Sequence, residues 1–161
     1  MDALRKLYES LGLQGPQSYV QSGNVVFRTT ERDLVKLAAR IGNAIEASFG
    51  FCPDVIVRTT SEMRDVVARN PFAGRPDIEP SKLLVWFLAG DPGPEARGKV
   101  LAIKTDPEEL RIDRRELYVY FPNGMARPKL SFAAVERALK ISGTGRNWNS
   151  VRKLLELAEK L

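Results

Sequence analysis

The chain has no histidine and one cysteine, Cys52, among 161 residues. Without His there is no Ser–His or Cys–His nucleophile pair, no imidazole general base and no imidazole-ligated metal. A lone Cys cannot form an intrachain disulfide or a thiolate zinc site. In Phe51-Cys52-Pro53, before a predicted strand, it reads as a small buried hydrophobe. The longest apolar run, Leu83 to Ala89, has seven residues, against the roughly 20 a spanning helix needs. The first residues, MDALRKLYESLGL, alternate charge with apolar side chains and do not form a signal-peptide core. A cytoplasmic protein without membrane contact is expected. No Gly-x-Gly-x-x-Gly or Walker pattern occurs, so no nucleotide motif points to a cofactor. The residues imply no metal and no cofactor.

Acidic residues are scarce in one region. Phe121 to Leu154 holds seven Lys/Arg (Arg127, Lys129, Arg137, Lys140, Arg146, Arg152, Lys153) against Glu136 alone, a net +6, while the whole chain carries +5. The sequence pI is near 9.5. A concentrated positive segment fits an anionic partner.

Periodicity orders the rest. Leu4, Leu7, Tyr8 and Leu11 predict a helix over Met1 to Leu11, stopped by Gly12. Gln17 to Thr29 reads as a hairpin turning at Ser22-Gly23. Thr30 is placed to cap a helix ending at Gly50, with Asp33 in capping-box position. Asp54 to Thr59 (DVIVRT) reads as a strand, and Thr60-Ser61-Glu62 opens a helix with Met63, Val66 and Val67 inward. Residues 72–80 (FAGRPDIEP) read as either a linker or a plain loop. Taken as a linker, they divide the chain into 1–76 and 77–161.

Lys82 to Ala89 reads as a central strand covered on both faces, followed by a short helix, Glu95 to Lys104. Glu109 to Asp113 should pair with Glu116 to Phe121 across Arg114-Arg115. Leu110, Ile112, Leu117, Val119 and Phe121 fall on one face of this hairpin, and Arg111, Asp113, Tyr118 and Tyr120 on the other. The tyrosines either stack bases on an open sheet or lie half-buried under a neighbouring element. Glu108 and Glu109 point to opposite faces and cannot chelate one ion; they read as solvated charges. Ser131 and Asn147 are placed to cap the last two helices. The order predicts an α+β fold (an α/β plait) of two ferredoxin-like halves, the first lacking its initial strand.

Several strings carry a family resemblance: Tyr19-Val20-Gln21-Ser22-Gly23-Asn24-Val25-Val26-Phe27, Asn70-Pro71-Phe72, Leu117 to Gly124, Lys129-Leu130, and Arg146-Asn147-Trp148 with Val151 and Lys153-Leu154. Together they resemble the uncharacterised, largely bacterial domain-of-unknown-function family 1697, over essentially the whole chain. The resemblance implies a cytoplasmic protein of two ferredoxin-like halves and no known activity. Family members begin with a strand and a Gly-rich loop before the first helix. That segment is absent here, which implies a truncated or mis-started chain with an exposed sheet edge open to self-association. Ala126-Arg127-Pro128 also departs from the family's Gly-Arg-Ser.

Two stretches are candidate binding loops. Asn123-Gly124 with Arg127 and Lys129 precedes the helix at Ser131, where unpaired N–H groups and two cations suit a phosphate. Arg146, Asn147 and Trp148 follow Ser142-Gly143-Thr144-Gly145, a segment that lets backbone approach a ligand. Each has a structural reading: a turn with solvated charges, a cap, a core ring. The expected function is a binding module for a phosphate-bearing small molecule or nucleic acid. The alternative is an enzyme acting on a small anion between the halves, with Arg127, Lys129 and Arg146 as electrostatic stabilisers.

Overall fold

A computed structural model describes residues 2–19, 23–51, 53–103, 107–124 and 130–161. It is mixed α and β, with six α-helices and two antiparallel sheets among the described residues. The chain forms two compact units, Met1–Arg64 with Arg152–Leu161, and Asp65–Val151. Residues 72–80 lie inside the second unit.

In the first unit, α1 (Asp2–Ser10) precedes the hairpin β1 (Gln14–Tyr19) and β2 (Asn24–Arg28), then α2 (Leu34–Phe49). The expected stripe of α1 joins Leu13, Leu37, Ile41 and Ile45 in one core. Tyr8 meets Phe27 edge to face at 5.5 Å. β1 starts earlier than expected because a bulge between Gln14 and Gln17 absorbs Gly15 and Pro16. A proline is tolerated there because the ladder is already broken. α2 starts later than expected. Thr29 and Glu31 accept amides of Glu31 and Asp33, holding the chain in a loop. Asp33, not Thr30, then caps the helix by accepting from Lys36 N at 3.0 Å. Gly50 ends it in the left-handed region, φ 81°.

The strand expected at Asp54 to Thr59 does not form. These residues join no ladder, although Val55 and Val57 pack against the first core. α3 (Thr60–Ala68) is opened by a full capping box one residue earlier than expected. Glu62 N donates to Thr59 Oγ1 at 3.0 Å and Thr59 N to Glu62 Oε1 at 2.8 Å.

In the second unit a 3₁₀ turn, Pro80–Lys82, leads into β3 (Leu83–Leu88). Then come α4 (Gly93–Leu101), β4 (Glu109–Asp113), β5 (Glu116–Tyr120), α5 (Phe132–Leu139) and β6 (Gly143–Asn147). α6 (Trp148–Glu159) follows directly. The sheet order is β4-β5-β3-β6, every neighbouring pair antiparallel. β3 is central, as its unbroken apolar run predicts. One face buries Leu88, Leu110, Leu117, Val119 and Phe121 against Val100 of α4 and Val135 and Leu139 of α5. Each such side chain contributes about 1.5–3 kcal/mol. Ser131 caps α5 as expected, accepting from Ala134 N at 3.1 Å.

β6 was not expected. The segment read as a glycine-rich loop is an edge strand paired along its length with β3. Its glycines make room for side chains of β3. A Cβ at Gly143 would lie 2.5 Å from Trp86 Nε1 and 2.9 Å from Phe87 O; one at Gly145 would lie 3.3 Å from Leu84 Cδ1. Residues two apart share a strand face, so Gly-x-Gly leaves a trough in which Trp86 and Leu84 lie. Trp86 Nε1 is buried with no hydrogen-bond partner among the described residues.

No helix among the described residues is long and apolar enough to cross a membrane.

Candidate functional site

Two of the expected binding residues flank the start of β3. Phe121 N donates to Lys82 O at 2.9 Å, and Lys82 Nζ donates to Pro122 O at 3.2 Å. This ties the turn 121–124, closed by Gly124 N to Phe121 O, beside the 3₁₀ turn. Asn123 is exposed on it. Asn147 reaches the same end of the sheet from β6: its Nδ2 donates to Ser81 O at 2.9 Å. Its Oδ1 accepts from Asn149 N at 2.8 Å. The expected cap of α6 is therefore present. Glu79 partners the Lys82 ammonium at 3.0 Å.

Arg146 and Trp148 do not converge on that point. Arg146 stands in a row with Val85, Tyr118 and Arg111 across the sheet, while Asn147 stands in a row with Leu84, Val119 and Leu110. Adjacent strand residues face opposite ways. Arg146 donates to Thr144 Oγ1 at 2.5 Å and to Gly145 O at 2.8 Å. Burial lowers its pKa by disfavouring the charged form. Trp148 is 7% exposed and belongs to the core. Arg127 and Lys129 lie outside the described residues, as does Cys52.

The helix start at Leu130 and Ser131 is already furnished. Glu108 is 4% exposed and accepts from Leu130 N at 2.5 Å. The expectation of a solvated Glu108 is thus overturned: a buried amide at the helix start takes its carboxylate. With the Ser131 cap, two of the N–H groups expected to await a phosphate are bonded within the chain.

The tyrosine face of the hairpin is closed. Tyr118 is 1% and Tyr120 4% exposed. Tyr118 Oη donates to Val66 O at 2.8 Å. Tyr120 Oη donates to Asp77 O at 3.0 Å and accepts from Glu79 N at 3.1 Å. Burial, first of all, drives the Tyr118 pKa well above the usual tyrosine range, with Glu116 and Asp113 adding to it. The cover is the Val66 end of α3 and residues 72–79. Arg75 forks onto Glu109 at 2.9 and 3.0 Å and onto Asp77 at 3.2 and 2.6 Å. These bonds hold its pKa above, and that of Asp77 below, the ordinary values. The Phe72 ring has Arg75 at 5.6 Å and Arg111 at 5.7 Å from its centre. The stretch without periodicity is therefore a pinned lid over the sheet. The one sequence trace of this is the run of Phe72, Arg75 and Asp77, whose partners in β4 and β5 are 34 or more positions away.

Arg137 and Lys140, at the C-terminal end of α5, are exposed. That end favours cations. Neither pairs with a carboxylate among the described residues. Elsewhere in this unit Arg69, Arg75, Lys82, Arg97, Lys99 and Arg111 are each ion-paired. Among the described residues no group of three His, Cys, Asp or Glu is placed to hold a metal ion.

The family model described as "Protein of unknown function (DUF1697)" matches residues 1–118. The chain belongs to that family. Family membership brings no reaction with it. Among solved structures, the conserved bacterial protein SP0830 from Streptococcus pneumoniae is similar at 17% identity and a TM-score of 0.69. The match covers 98% of this chain and 88% of that one. At that identity the likeness concerns the fold alone. No curated protein matches the sequence.

Proposed function

We propose that this DUF1697 member is a binding module for an anionic, phosphate-bearing ligand, a small molecule or a nucleic acid, taken up through the positive segment of its second unit. The observation that supports it is the uneven pairing of charge. Arg69, Arg75, Lys82, Arg97, Lys99 and Arg111 of that unit are ion-paired, while Arg137 and Lys140 stand exposed without a carboxylate partner among the described residues. Asn123, Arg127 and Lys129 are the contacts this reading assigns. Asn147 supports the same end of the sheet from within, and Arg146 and Trp148 serve the fold. We also infer that both units follow one split β-α-β plan, the ferredoxin-like one. Strand, helix, hairpin, helix, strand with order β4-β5-β3-β6 supports it for the second unit.

The test is retention on heparin and on immobilised polyphosphate across a salt gradient. Affinity should fall linearly in log–log form with salt, by about 0.7–0.9 per phosphate engaged. Arg127→Glu with Lys129→Glu should elute at clearly lower salt than the parent chain. Retention that ignores salt, or is unchanged in the double variant, overturns the reading.

A further inference from the structure

Several loops of the second unit meet where β3 ends. Leu88 N donates to Arg115 O at 2.9 Å on one side, and Ala89 N donates to Ser142 O at 2.9 Å on the other. The Arg114-Arg115 turn of the β4–β5 hairpin and the connection from α5 into β6 therefore flank one strand end. They stand two strand spacings apart, roughly 10 Å. α4 begins at this end as well. Arg97 ties it to the turn by donating to Arg114 O at 2.5 Å and to Asp91 Oδ2 at 3.1 Å. The exit of α5 lies alongside: a Cβ at Gly90 would be 3.3 Å from Ile141 Cδ1.

Among the described residues two that are not glycine have a positive φ, Arg114 at 53° and Lys140 at 54°. Both are at this end, and both are cations. Glycine is the common residue at each kind of position, the first of a two-residue hairpin loop and the one after a helix. A side chain there strains the backbone, and such strain gathers at sites of function. The fold does not use either side chain. Arg114 and Lys140 are exposed, with no side-chain hydrogen bond or ion pair among the described residues. Arg137, one turn before Lys140 on the same side of α5, is exposed and unpaired in the same sense. Of the nearby acids, Asp91 accepts from Gly93 N at 2.8 Å and from Arg97. Asp113 pairs with Arg69 at 3.4 Å. Glu136, on the turn before Lys140, joins no ion pair among the described residues.

We propose that this end of the second unit binds a chain of phosphates, the backbone of a nucleic acid or an inorganic polyphosphate, through Arg114, Arg137 and Lys140. A single phosphate cannot touch cations on segments roughly 10 Å apart, whereas a chain of them spans both. Of the exposed large apolar side chains, Val35, Phe49 and Phe51 belong to the first unit and Leu101 to the far end of α4. No aromatic platform among the described residues stands here for bases, so recognition is by charge and independent of sequence. Arg97 is a positioning residue that holds the Arg114 turn. The proposal deepens the anion-binding reading and rests on it, but its contacts lie at the opposite end of β3 from Asn123.

The test uses the full chain with two probes, a labelled oligothymidylate and inorganic polyphosphate, titrated across a salt series. Arg114→Gly with Lys140→Gly should bind both probes about tenfold or more weakly at low salt. Its salt slope should shrink by about 0.7 for each contact removed. The same variant should melt no lower than the parent, because glycine relieves both positive φ values. Arg114→Gln with Lys140→Gln, which keeps the length and removes the charge, should bind as weakly. Orthophosphate should compete far less than polyphosphate of equal phosphorus content.

Unchanged affinity and slope in the glycine pair overturn the proposal, and so does parent-like binding by the glutamine pair. A lower melting temperature in the glycine pair shows that the fold needs these side chains, and overturns it too. Equal competition by orthophosphate means a single-phosphate site; binding of the oligonucleotide without polyphosphate means that bases or sugars are read. Either result contradicts a phosphate-chain site. Arg127→Glu with Lys129→Glu separates the two readings. If it alone loses binding, the contacts assigned earlier stand and this site fails. If the glycine pair alone loses binding, this site stands and those contacts fail. A parent chain that binds neither probe ends both.

Discussion

Two short segments exchange roles between sequence and structure. Asp54 to Thr59, DVIVRT, has the β-branched residues of a strand and joins no ladder. Gly143 to Asn147, GTGRN, has the look of a loop and closes a four-stranded sheet along the edge of β3. The difference lies in the neighbours. The second segment meets β3, whose Trp86 and Leu84 need the space that two glycines leave. The first packs on a core and a helix but pairs with no strand among the described residues. Strand propensity expresses the fit to a pleated, partnered surface more than a preference of the backbone itself. The partner decides.

The comparison can be broken most forcefully at Gly143. Its Cβ would fall within 3 Å of both the Trp86 indole and the Phe87 carbonyl. Gly143→Ala should cost about 2–3 kcal/mol, read as a fall in the urea midpoint at unchanged m-value. A neutral result would mean that the trough is not closely packed.

Val85→Ala, in the fully buried central strand, should cost about 2–3 kcal/mol. Val55→Ala, in the unpaired segment, should cost about 1 kcal/mol. Equal costs would erase the contrast between the two segments.

Tyr118→Phe leaves the Val66 carbonyl without its hydroxyl donor, at a cost of about 1–2 kcal/mol. It also changes the pH profile. Burial raises the folded-state pKa of Tyr118 above its unfolded value. Its contribution is therefore complete below about pH 10 and is lost as pH rises further. The parent should lose stability through that alkaline window, and the Phe variant should lose less.

Gly145→Ala should be the mildest change, under about 1 kcal/mol. Its Cβ would meet only the movable Leu84 side chain, at 3.3 Å. A cost as large as that at Gly143 would show that Leu84 cannot yield.

The legible parts of this chain are those governed by local rules. Period-two alternation placed the Glu109–Phe121 hairpin, and an unbroken apolar run placed β3 at the centre of its sheet. Ser131, Asn147 and Gly50 marked helix ends because caps are local hydrogen bonds. What escaped depended on partners distant in the chain. The glycines of β6 answer to Trp86 and Leu84, about 60 residues earlier. Glu108 is buried because the Leu130 amide needs it, 22 residues on. Phe72 to Glu79 lacks periodicity because it is fastened by Arg75 and by the Tyr120 hydroxyl, not by a repeating face. In the candidate site, the charge excess of 121–154 was legible as composition. That Arg146 and Asn147 point to opposite faces became visible only once β6 was known to be a strand.

The central claim is that backbone partners make the strands of this fold. Residue-resolved amide exchange of the chain alone tests it most directly. The account predicts slow exchange through the Gly143–Asn147 ladder, within range of β3, and fast exchange at residues 53–58. Fast exchange in Gly143–Asn147, together with protection at 53–58, would contradict it.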